Sequence, residues 1–344
     1  MQNQPQNILV IRLSAIGDIV MSSGLIKSLK NRYPDANISW LVESMSKSLL
    51  LGHEDLHEVI ELPRAKWKKL KKEKGLIAVL REVNAMRKLL KQKQFDLVLD
   101  TQGLLKSGIW AWFSGAKTRI GLGSKEGSQY LMTSVLKRDS SPVIGSEYRS
   151  LALELGCYPD DYIMSVVQSE QTYSRISELL QKHQLSEFVV LCPYTTRPQK
   201  HWFDQHWREL AEQIQLHFGL RCIVLGGPAD IENARALCAE QSNMLSLAGE
   251  TSLPETAELI SRAKFLVGVD TGITHMGIMH ALPTVCIFGS TAPYLRAHNA
   301  EIIYLNMHCS PCRRNPTCGG SFDCLKDIHA SHVVSAMQKL RDAS

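Results

Sequence analysis

Long hydrophobic runs are missing from this sequence of 344 residues. No stretch approaches the roughly 18 apolar residues that a membrane-spanning helix needs. Residues 1–7 are polar and uncharged, and the apolar run behind them is short, so we expect no secretory signal and a cytoplasmic protein. The dinucleotide fingerprint G-x-G-x-x-G is absent as well, since only Gly17 lies in the turn after the first apolar run. No low-complexity segment or fixed-period repeat appears.

Charge is modest overall but uneven along the chain. The net charge of +5 and the 44% of apolar residues are ordinary for a soluble globular protein of two domains. Six of the nine residues 66–74 are lysine, with Trp67 and Leu70 among them. The stretch is either a solvated loop or helix face, or a basic, partly aromatic surface for an anionic partner, such as a phosphorylated glycolipid at a membrane. Without a recognisable binding motif, nucleic acid is not an expected partner.

Nine cysteines fall into two groups. Five lie in or beside apolar segments and are expected to be core thiols. The other four, Cys309, Cys312, Cys318 and Cys324, share a segment rich in Pro, Gly and Arg. The C-x2-C pair suits zinc, but the later spacings of five residues do not form a second tight pair. Structural zinc, disulfides and unliganded thiols all remain open for this segment.

Apolar runs alternate with segments of helical spacing, which predicts an α/β fold with two doubly wound parallel sheets facing a cleft. The predicted strands are 8–13, 38–42, 59–62, 97–100, 188–192, 222–225, 265–269 and 284–288. The predicted helices are 19–33, 77–93, 103–113, 174–182, 204–218, 231–240, 253–263, 275–281 and 330–340. The pattern lapses near 166–172, where we expect the domain boundary. Ligands of such sheets bind beyond the carboxyl ends of the strands.

Two segments of the first half follow predicted strands and carry polar side chains. Ser14-Ala15-Ile16-Gly17-Asp18 leaves a carboxylate near a helix start, where it either caps the helix or takes a proton from an acceptor hydroxyl. The segment 100–107 carries Lys106, which is placed to contact the acceptor.

The second half offers candidates for a diphosphate and its sugar. Asp270-Thr271-Gly272 joins a strand to a helix, and the start of a helix favours an anion unless these residues only cap it. The segment 193–202 supplies two threonines and a lysine to hold a leaving diphosphate. After the next strand, Asp230 is placed to bond a ribose hydroxyl, and 288–291 offers hydroxyls for phosphate. His275 is either a ligand contact or a structural histidine.

Four motifs in this order resemble the lipopolysaccharide heptosyltransferases of glycosyltransferase family 9, over essentially the whole chain. They are Ser-x-x-Gly-Asp at 14–18, Asp-x-Gln-Gly-Leu-x-Lys-Ser at 100–107, Thr-Thr-Arg-x-x-Lys-His-Trp at 195–202 and Asp-Thr-Gly-x-x-His at 270–275. The segments 100–107 and 66–72 are more similar to heptosyltransferase I than to heptosyltransferase II. Pro198 and Gln199 depart from the family's pattern but leave Lys200 in place.

The resemblance implies a GT-B fold with an acceptor-binding domain at 1–166, an ADP-sugar-binding domain at 167–326 and a final helix, 327–344, that crosses back to the first domain. It implies inverting transfer from ADP-heptose to Kdo-lipid A without a metal or other cofactor, and the lack of an Asp-x-Asp pair agrees. The implied enzyme contacts the inner face of the cytoplasmic membrane peripherally.

The resemblance also implies roles for individual residues. Asp18 becomes the general base, and Lys200 offsets the charge of the leaving group. The donor site comprises Thr195, Thr196, Asp230, Asp270, Thr271, Gly272 and His275, and the acceptor site Gly17, Lys66, Lys68, Gln102 and Lys106.

Other functions compete with this one. Heptosyltransferase II, or another member of the family with a different sugar, would change the acceptor but not the fold or the base. A sugar-nucleotide epimerase of the same fold needs additional acid and base residues, which the sequence does not place. A non-catalytic sugar-nucleotide-binding or zinc-loop protein would not need Asp18 and Lys200.

Overall fold

The computed structural model describes residues 4–343, so residues 1–3 of the polar N-terminal stretch lie outside the described part. The chain divides into two compact units. The first comprises Met1–Ser141 with Gly145–Val167, and the second comprises Pro142–Ile144 with Gln168–Ser344. Each unit is built on its own sheet and has its own hydrophobic core.

The first unit holds a parallel sheet of six strands among the described residues, in the order β3-β2-β1-β4-β5-β6. The strands are β1 (Asn7–Ile11), β2 (Asn37–Glu43), β3 (Glu58–Leu62), β4 (Leu97–Asp100), β5 (Thr118–Leu122) and β6 (Ser134–Leu136). The helices are α1 (Ile16–Ser22), α2 (Gly24–Arg32), α3 (Arg64–Gln92), α4 (Leu105–Phe113) and α5 (Ser146–Glu154). The central strands β1 and β4 are apolar and almost wholly buried, as strands with helices on both faces must be.

The second unit repeats the plan over the described residues, in the order β12-β11-β10-β7-β8-β9. Its strands are β7 (Phe188–Cys192), β8 (Arg221–Val224), β9 (Met244–Ser246), β10 (Phe265–Val269), β11 (Thr284–Ile287) and β12 (Ala300–Ile303). Its helices are α6 (Glu170–Lys182), α7 (Asp204–Phe218), α8 (Ile231–Cys238), α9 (Leu253–Ser261), α10 (Gly272–Met279), α11 (Asp323–Lys326) and α12 (Ala330–Asp342). The prediction of two doubly wound α/β halves is confirmed.

Both sheets reverse their strand order at the first strand of the unit. In the first unit β1 lies between β2 and β4, and in the second β7 lies between β8 and β10. The chain winds outward in one direction and then, from β4 or β10, in the other. In each sheet, the loops that follow the two strands at the reversal therefore diverge and leave a crevice. These strands are β1 and β4 in the first sheet and β7 and β10 in the second. Open α/β sheets bind ligands at such a crevice.

The lysine-rich stretch, for which the sequence left a loop or a helix face open, is helical. Helix α3 begins at Arg64 and contains Gly75 in a left-handed conformation (φ 78°, ψ −178°), which divides it into two segments. Trp67 is buried and its ring lies 5.7 Å from that of Trp110. The expectation that Trp67 adds an aromatic side chain to the basic surface is therefore wrong, because the ring anchors the helix to the core.

The last helix belongs to the second unit, where α12 packs against α7, β11 and β12. Its buried face is apolar and includes Val333, Met337 and Leu340. The crossing of 327–344 to the first half stays a prediction. Within residues 4–343 there is no helix with the length and apolar character needed to traverse a bilayer.

Candidate active site

The crevice of the first sheet contains an ion pair between Arg12 and Asp18. Arg12 follows β1, and Asp18 lies in the first turn of α1, where its carboxylate also accepts a hydrogen bond of 3.1 Å from the backbone N–H of Ala15. The guanidinium donates to the carbonyl oxygen of Thr101 (2.8 Å) and lies 5.7 Å from the ring centroid of Tyr148. Only 7% of the Arg12 side chain is exposed, against 34% of that of Asp18. The buried cation thus fixes a carboxylate that solvent can reach.

The charge of Arg12 is secure despite its burial. Desolvation acts to lower the pKa of the guanidinium, but Tyr148 and the carboxylate of Asp18 outweigh it, so the pKa is raised. Since arginine is protonated at any physiological pH, this positive charge next to Asp18 is permanent.

Gln102 and Lys106 follow the neighbouring strand β4, and their side chains contact the turn after β1. The Gln102 side chain accepts a hydrogen bond from the backbone N–H of Leu13 (3.1 Å), and its amide nitrogen lies 3.5 Å from the Ser14 hydroxyl. The ammonium of Lys106 lies 3.4 Å from the same hydroxyl and 3.9 Å from Glu43. Burial lowers the pKa of Lys106, although Glu43 opposes the shift. The structure therefore brings these two predicted residues to the segment that leads into Asp18.

Asp100 shapes the loop that carries Gln102 and Lys106. Its buried carboxylate accepts hydrogen bonds from the backbone N–H groups of Gln102 and Gly103 and from the Ser107 hydroxyl, each 3.1 Å long. Burial nevertheless raises the pKa of Asp100. Gly103 has φ +66°, and a Cβ there would lie 2.4 Å from the carbonyl oxygen of Leu122. The loop thus requires glycine at this position.

Of the remaining predicted acceptor residues, Gly17 directly precedes Asp18, whereas the two lysines lie on α3. Gly17 is buried within α1. Lys66 and Lys68 are exposed near the start of α3. The α3 side chain next to Glu43 is Arg64, at 2.7 Å, rather than either lysine. Helix α3 therefore reaches the Lys106 network through Arg64, which precedes the lysine-rich stretch.

The crevice of the second sheet contains a buried ion pair between Lys200 and Asp270. Lys200 lies in the loop between β7 and α7, and Asp270 directly follows the adjacent strand β10. The side chains are 13% and 3% exposed. The Thr291 hydroxyl donates to Asp270 Oδ2 (2.5 Å), and the Tyr294 hydroxyl donates to Asp270 Oδ1 (2.6 Å). Two groups predicted separately, a cation for the leaving group and an acid for the donor, are thus in direct contact.

Asp270 stays ionised within this cluster. Burial alone would raise its pKa, but the positive charge of Lys200 and the three side-chain hydrogen bonds outweigh burial and lower the pKa. His275 is buried with Nε2 3.3 Å from the Tyr294 hydroxyl. Thr271 is the N-cap residue of α10, yet no side chain caps this helix, and Gly272 opens it. The first N–H groups of a helix have no partner within it, so the start of α10 suits an anion.

The predicted threonines lie on the same loop as Lys200. Thr195 is half-buried and Thr196 exposed. The ring of His201 closes this loop by donating from Nε2 to the carbonyl oxygen of Thr195 (2.7 Å). Gln199 is buried and donates to the carbonyl oxygen of Arg313 (3.0 Å), which ties the loop to the cysteine-bearing segment.

Asp230 lies in the loop between β8 and α8, on the opposite side of β7 from β10. Its carboxylate accepts a hydrogen bond from the backbone N–H of Gly227 (2.8 Å). A Cβ at Gly226 would lie 2.9 Å from both the ring of Tyr194 and the Cβ of Asp230, so the two side chains adjoin the same glycine. Asp230 is thus close to the Thr195 loop but outside the Asp270 cluster.

The cysteine-bearing segment contains free thiols. Cys324 is buried, and Cys309, Cys312 and Cys318 are half-buried. Burial raises the pKa of Cys324 to about 11. Across residues 4–343, no three His, Cys, Asp or Glu side chains are grouped so that they could hold a metal ion.

Several residues of these clusters were missed from the sequence, among them Arg12, Glu43 and Tyr294. Arg12 is the one charged residue in the apolar run 8–13 and lies near its carboxyl end. A charged residue at that end of a predicted strand could have been included among the candidate site residues. Glu43 ends β2 in the same way. Tyr294 lies beyond the last predicted strand of its half, where no periodicity or motif points to it.

The family model "Glycosyltransferase family 9 (heptosyltransferase)" matches residues 83–321. Lipopolysaccharide heptosyltransferase 1 of Pseudomonas aeruginosa is 26% identical over 90% of this chain and 87% of its own length. Lipopolysaccharide heptosyltransferase 2 of Salmonella typhimurium is also 26% identical, over 97% of this chain and 98% of its own. Overall identity therefore does not separate the two types.

Solved structures share the fold over nearly the full length. A glycosyltransferase family 9 protein from Veillonella parvula superposes with a TM-score of 0.84 at 18% identity, covering 98% of both chains. The E. coli heptosyltransferase WaaC, solved with ADP-2-deoxy-2-fluoro heptose, has a TM-score of 0.73 at 22% identity, covering 97% of this chain and 99% of its own. A more distant structure (TM-score 0.55, 14% identity, 98% of this chain and 77% of its own) is TibC of enterotoxigenic E. coli, an iron-containing dodecameric glycosyltransferase.

Proposed function

The chain belongs to glycosyltransferase family 9 (heptosyltransferase) and is a glycosyltransferase, and from that premise we propose that it transfers L-glycero-D-manno-heptose from ADP-heptose to a Kdo hydroxyl of Kdo-lipid A. The transfer inverts the anomeric carbon and needs no metal. The observation that carries the proposal is the Lys200–Asp270 pair, a cation held at the crevice of the second sheet beside the start of α10. That arrangement suits the diphosphate of a sugar nucleotide.

The first unit supplies the base. The carboxylate of Asp18 takes the proton of the acceptor hydroxyl while the new C–O bond forms, so a weak base suffices. Arg12 does not touch the acceptor in this scheme. It is a positioning residue that holds the carboxylate in place through the ion pair. Gln102 and Lys106 contact the acceptor beside it, near Gly17 in the first turn of α1.

The second unit supplies the donor contacts. As the bond from the anomeric carbon to the diphosphate breaks, negative charge grows on the leaving oxygen, and Lys200 and the N–H groups at the start of α10 offset it. Thr195 and Thr196 hold the diphosphate from the β7 loop. Thr271, Gly272 and His275 line the pocket around phosphate and heptose.

Asp270 and Asp230 complete the donor site. Asp270 keeps Lys200 in place. Its carboxylate oxygens have lone pairs beyond those that bind Thr291 and Tyr294, and these accept hydrogen bonds from the heptose hydroxyls. Asp230, beside the Thr195 loop, bonds the ribose.

The choice of heptosyltransferase I over II is supported by the resemblance of the segments 66–72 and 100–107, whereas overall identity is 26% to both types. The basic face with Lys66 and Lys68 meets the acceptor's phosphates at the inner face of the cytoplasmic membrane, and the protein is cytoplasmic and only peripherally attached. A second candidate, a sugar-nucleotide-binding protein without catalysis, shares the donor cluster but gives no role to the Arg12–Asp18 pair.

The test is transfer from ADP-heptose to Kdo-lipid A, read by mass spectrometry, with heptosyl-Kdo-lipid A offered in parallel. We expect one heptose added to Kdo-lipid A and none to the heptosylated acceptor; the reverse preference would assign type II.

Asp18→Asn should lose about 10²–10⁴-fold in rate while ADP-heptose affinity by calorimetry stays within a few-fold. Asp55→Asn, which removes an acid paired with Lys27 in the same unit, is the matched control and should keep its rate. Donor binding without transfer to any acceptor would favour the non-catalytic candidate.

Metal independence is tested in the same assay. Activity should survive dialysis against EDTA, since Lys200 and α10 supply the positive charge that a divalent ion supplies in other transferases. Loss of activity on EDTA treatment, with recovery on adding Mg²⁺ or Fe²⁺, would refute that part of the proposal.

A further inference from the structure

The second segment of α3 carries apolar side chains that the core does not use. Val79, Val83 and Met86 pack against the core of the first unit at helical spacing. Ile77 and Leu80 lie about 160° and 100° around the helix from Val79, at 3.6 residues per turn. Their exposed fractions are 68% and 56%, and that of Leu76 is 57%. Single exposed apolar residues are ordinary, but three within five positions of one helix are a patch.

The lysine cluster directly precedes this patch. All six lysines of 66–74 are exposed, and the one acid among those nine residues is Glu73. Gly75 separates the cluster from the patch, and a Cβ there would meet nothing within 4 Å. Glycine is thus required by its positive φ, not by crowding, and it turns the chain between a basic segment and an apolar one.

We propose that Leu76, Ile77 and Leu80 insert into the interfacial region of an anionic lipid bilayer while the lysines of 66–74 bind its headgroups. A basic segment next to exposed apolar side chains is the composition of surface-bound amphipathic helices. A second copy of the chain fits less well, because a two-fold contact would pair this surface with itself, and six lysines lie directly beside the patch. The inference deepens the proposed function, whose acceptor is a membrane lipid, but binding to lipid does not require catalysis.

The experiment is cosedimentation of the full chain with vesicles of phosphatidylethanolamine containing about a third phosphatidylglycerol, against phosphatidylcholine vesicles. We expect binding to the anionic vesicles that weakens with salt. The triple variant Leu76→Ser, Ile77→Ser, Leu80→Ser should lose at least about tenfold in affinity. The triple variant Lys71→Gln, Lys72→Gln, Lys74→Gln should lose about 100-fold, at roughly fivefold per lysine.

A matched control is Leu216→Ser, which removes an apolar side chain that is 78% exposed on α7 in the other unit. It should bind vesicles as the unchanged protein does, and thermal melts should show that all variants stay folded. Absence of binding to anionic vesicles, equal binding to neutral ones, or an unaffected apolar variant would each overturn the proposal. So would self-association that the apolar variant abolishes, which would assign the patch to a dimer.

Transfer to a deacylated, water-soluble acceptor separates this proposal from the proposed function. The apolar variant should keep its rate on that acceptor and lose rate only on acceptor embedded in vesicles. If neither the unchanged protein nor the variants transfer heptose, the proposed function is wrong. The cosedimentation with vesicles still tests the lipid proposal in that case.

Discussion

Replacing Asp270 by asparagine should destabilise the second unit strongly. The substitution keeps the shape of the side chain and an oxygen for Tyr294, but it removes the negative charge beside Lys200, whose side chain is 13% exposed. Breaking a buried ion pair by removing one partner costs about 3–5 kcal/mol, because the other charge remains buried. At about 2–4 °C per kcal/mol for a unit of this size, the melting temperature should fall by about 6–20 °C.

The control is an exposed pair in the same unit. Glu187 lies 2.8 Å from Lys264, and both side chains are more than half exposed. Glu187→Gln should therefore cost less than about 1 kcal/mol. The reasoning is refuted if Asp270→Asn melts within a few degrees of Glu187→Gln in differential scanning calorimetry. A further check is the double variant Asp270→Asn, Lys200→Met, which should recover part of the loss because neither charge is then left unpaired.

The difference in melting temperature between the unchanged protein and Asp270→Asn should depend on pH, and the pKa of Asp270 sets the direction of that dependence. The folded pKa of Asp270 is lowered, so the folded carboxylate stays ionised at a pH where the unfolded one, near its ordinary value of about 3.9, binds a proton. The stabilisation is complete above that value and is lost as pH falls through the folded pKa. The gap in melting temperature between the unchanged protein and Asp270→Asn should be constant above about pH 5 and shrink below about pH 4. A gap that stays the same down to pH 3 would contradict this.

Two further predictions concern positions around the two crevices. Tyr294→Phe removes one hydrogen bond to Asp270 and should lower stability by about 1 kcal/mol while raising KM for ADP-heptose more than it lowers kcat; an unchanged KM would remove Tyr294 from the donor side. Gly103→Ala places a Cβ 2.4 Å from a backbone oxygen in a left-handed conformation, and should cost more than about 1 kcal/mol in thermal melts. Gly219→Ala, also left-handed but with nothing within 4 Å, should cost less than Gly103→Ala.

The central strands could be predicted from the sequence because they are short apolar runs bounded by polar residues. β4, β7 and β10 have the predicted bounds, and α7 does as well. The strands that were missed, β5, β6, β9 and β12, lie toward the sheet edges, and their residues are partly exposed, so hydrophobicity marks them poorly. The first segment of α3 was missed because Gly75 and a run of lysines hide its helical period.

The candidate site was only half visible in the sequence. The motifs indicate which strand ends carry polar groups, but not which strands are neighbours, because strand order is a property of the whole sheet. Lys200 and Asp270 are 70 positions apart and meet because β7 pairs with β10. Arg12 and Asp18 are close in sequence, yet the role of Arg12 depends on Thr101 and Tyr148, which other elements bring to it.

The two ion pairs present opposite charges to a ligand, which supports assigning the base to the first unit. In the first crevice the cation is the buried partner and the carboxylate of Asp18 is the accessible one. In the second, the carboxylate of Asp270 is the more buried partner, and Lys200 is the more accessible. The two oxygens of Asp270 already accept bonds from Lys200, Thr291 and Tyr294, and this lowers its pKa and its basicity. Asp270 is thus poorly suited to take a proton, whereas Asp18 is both accessible and held in place.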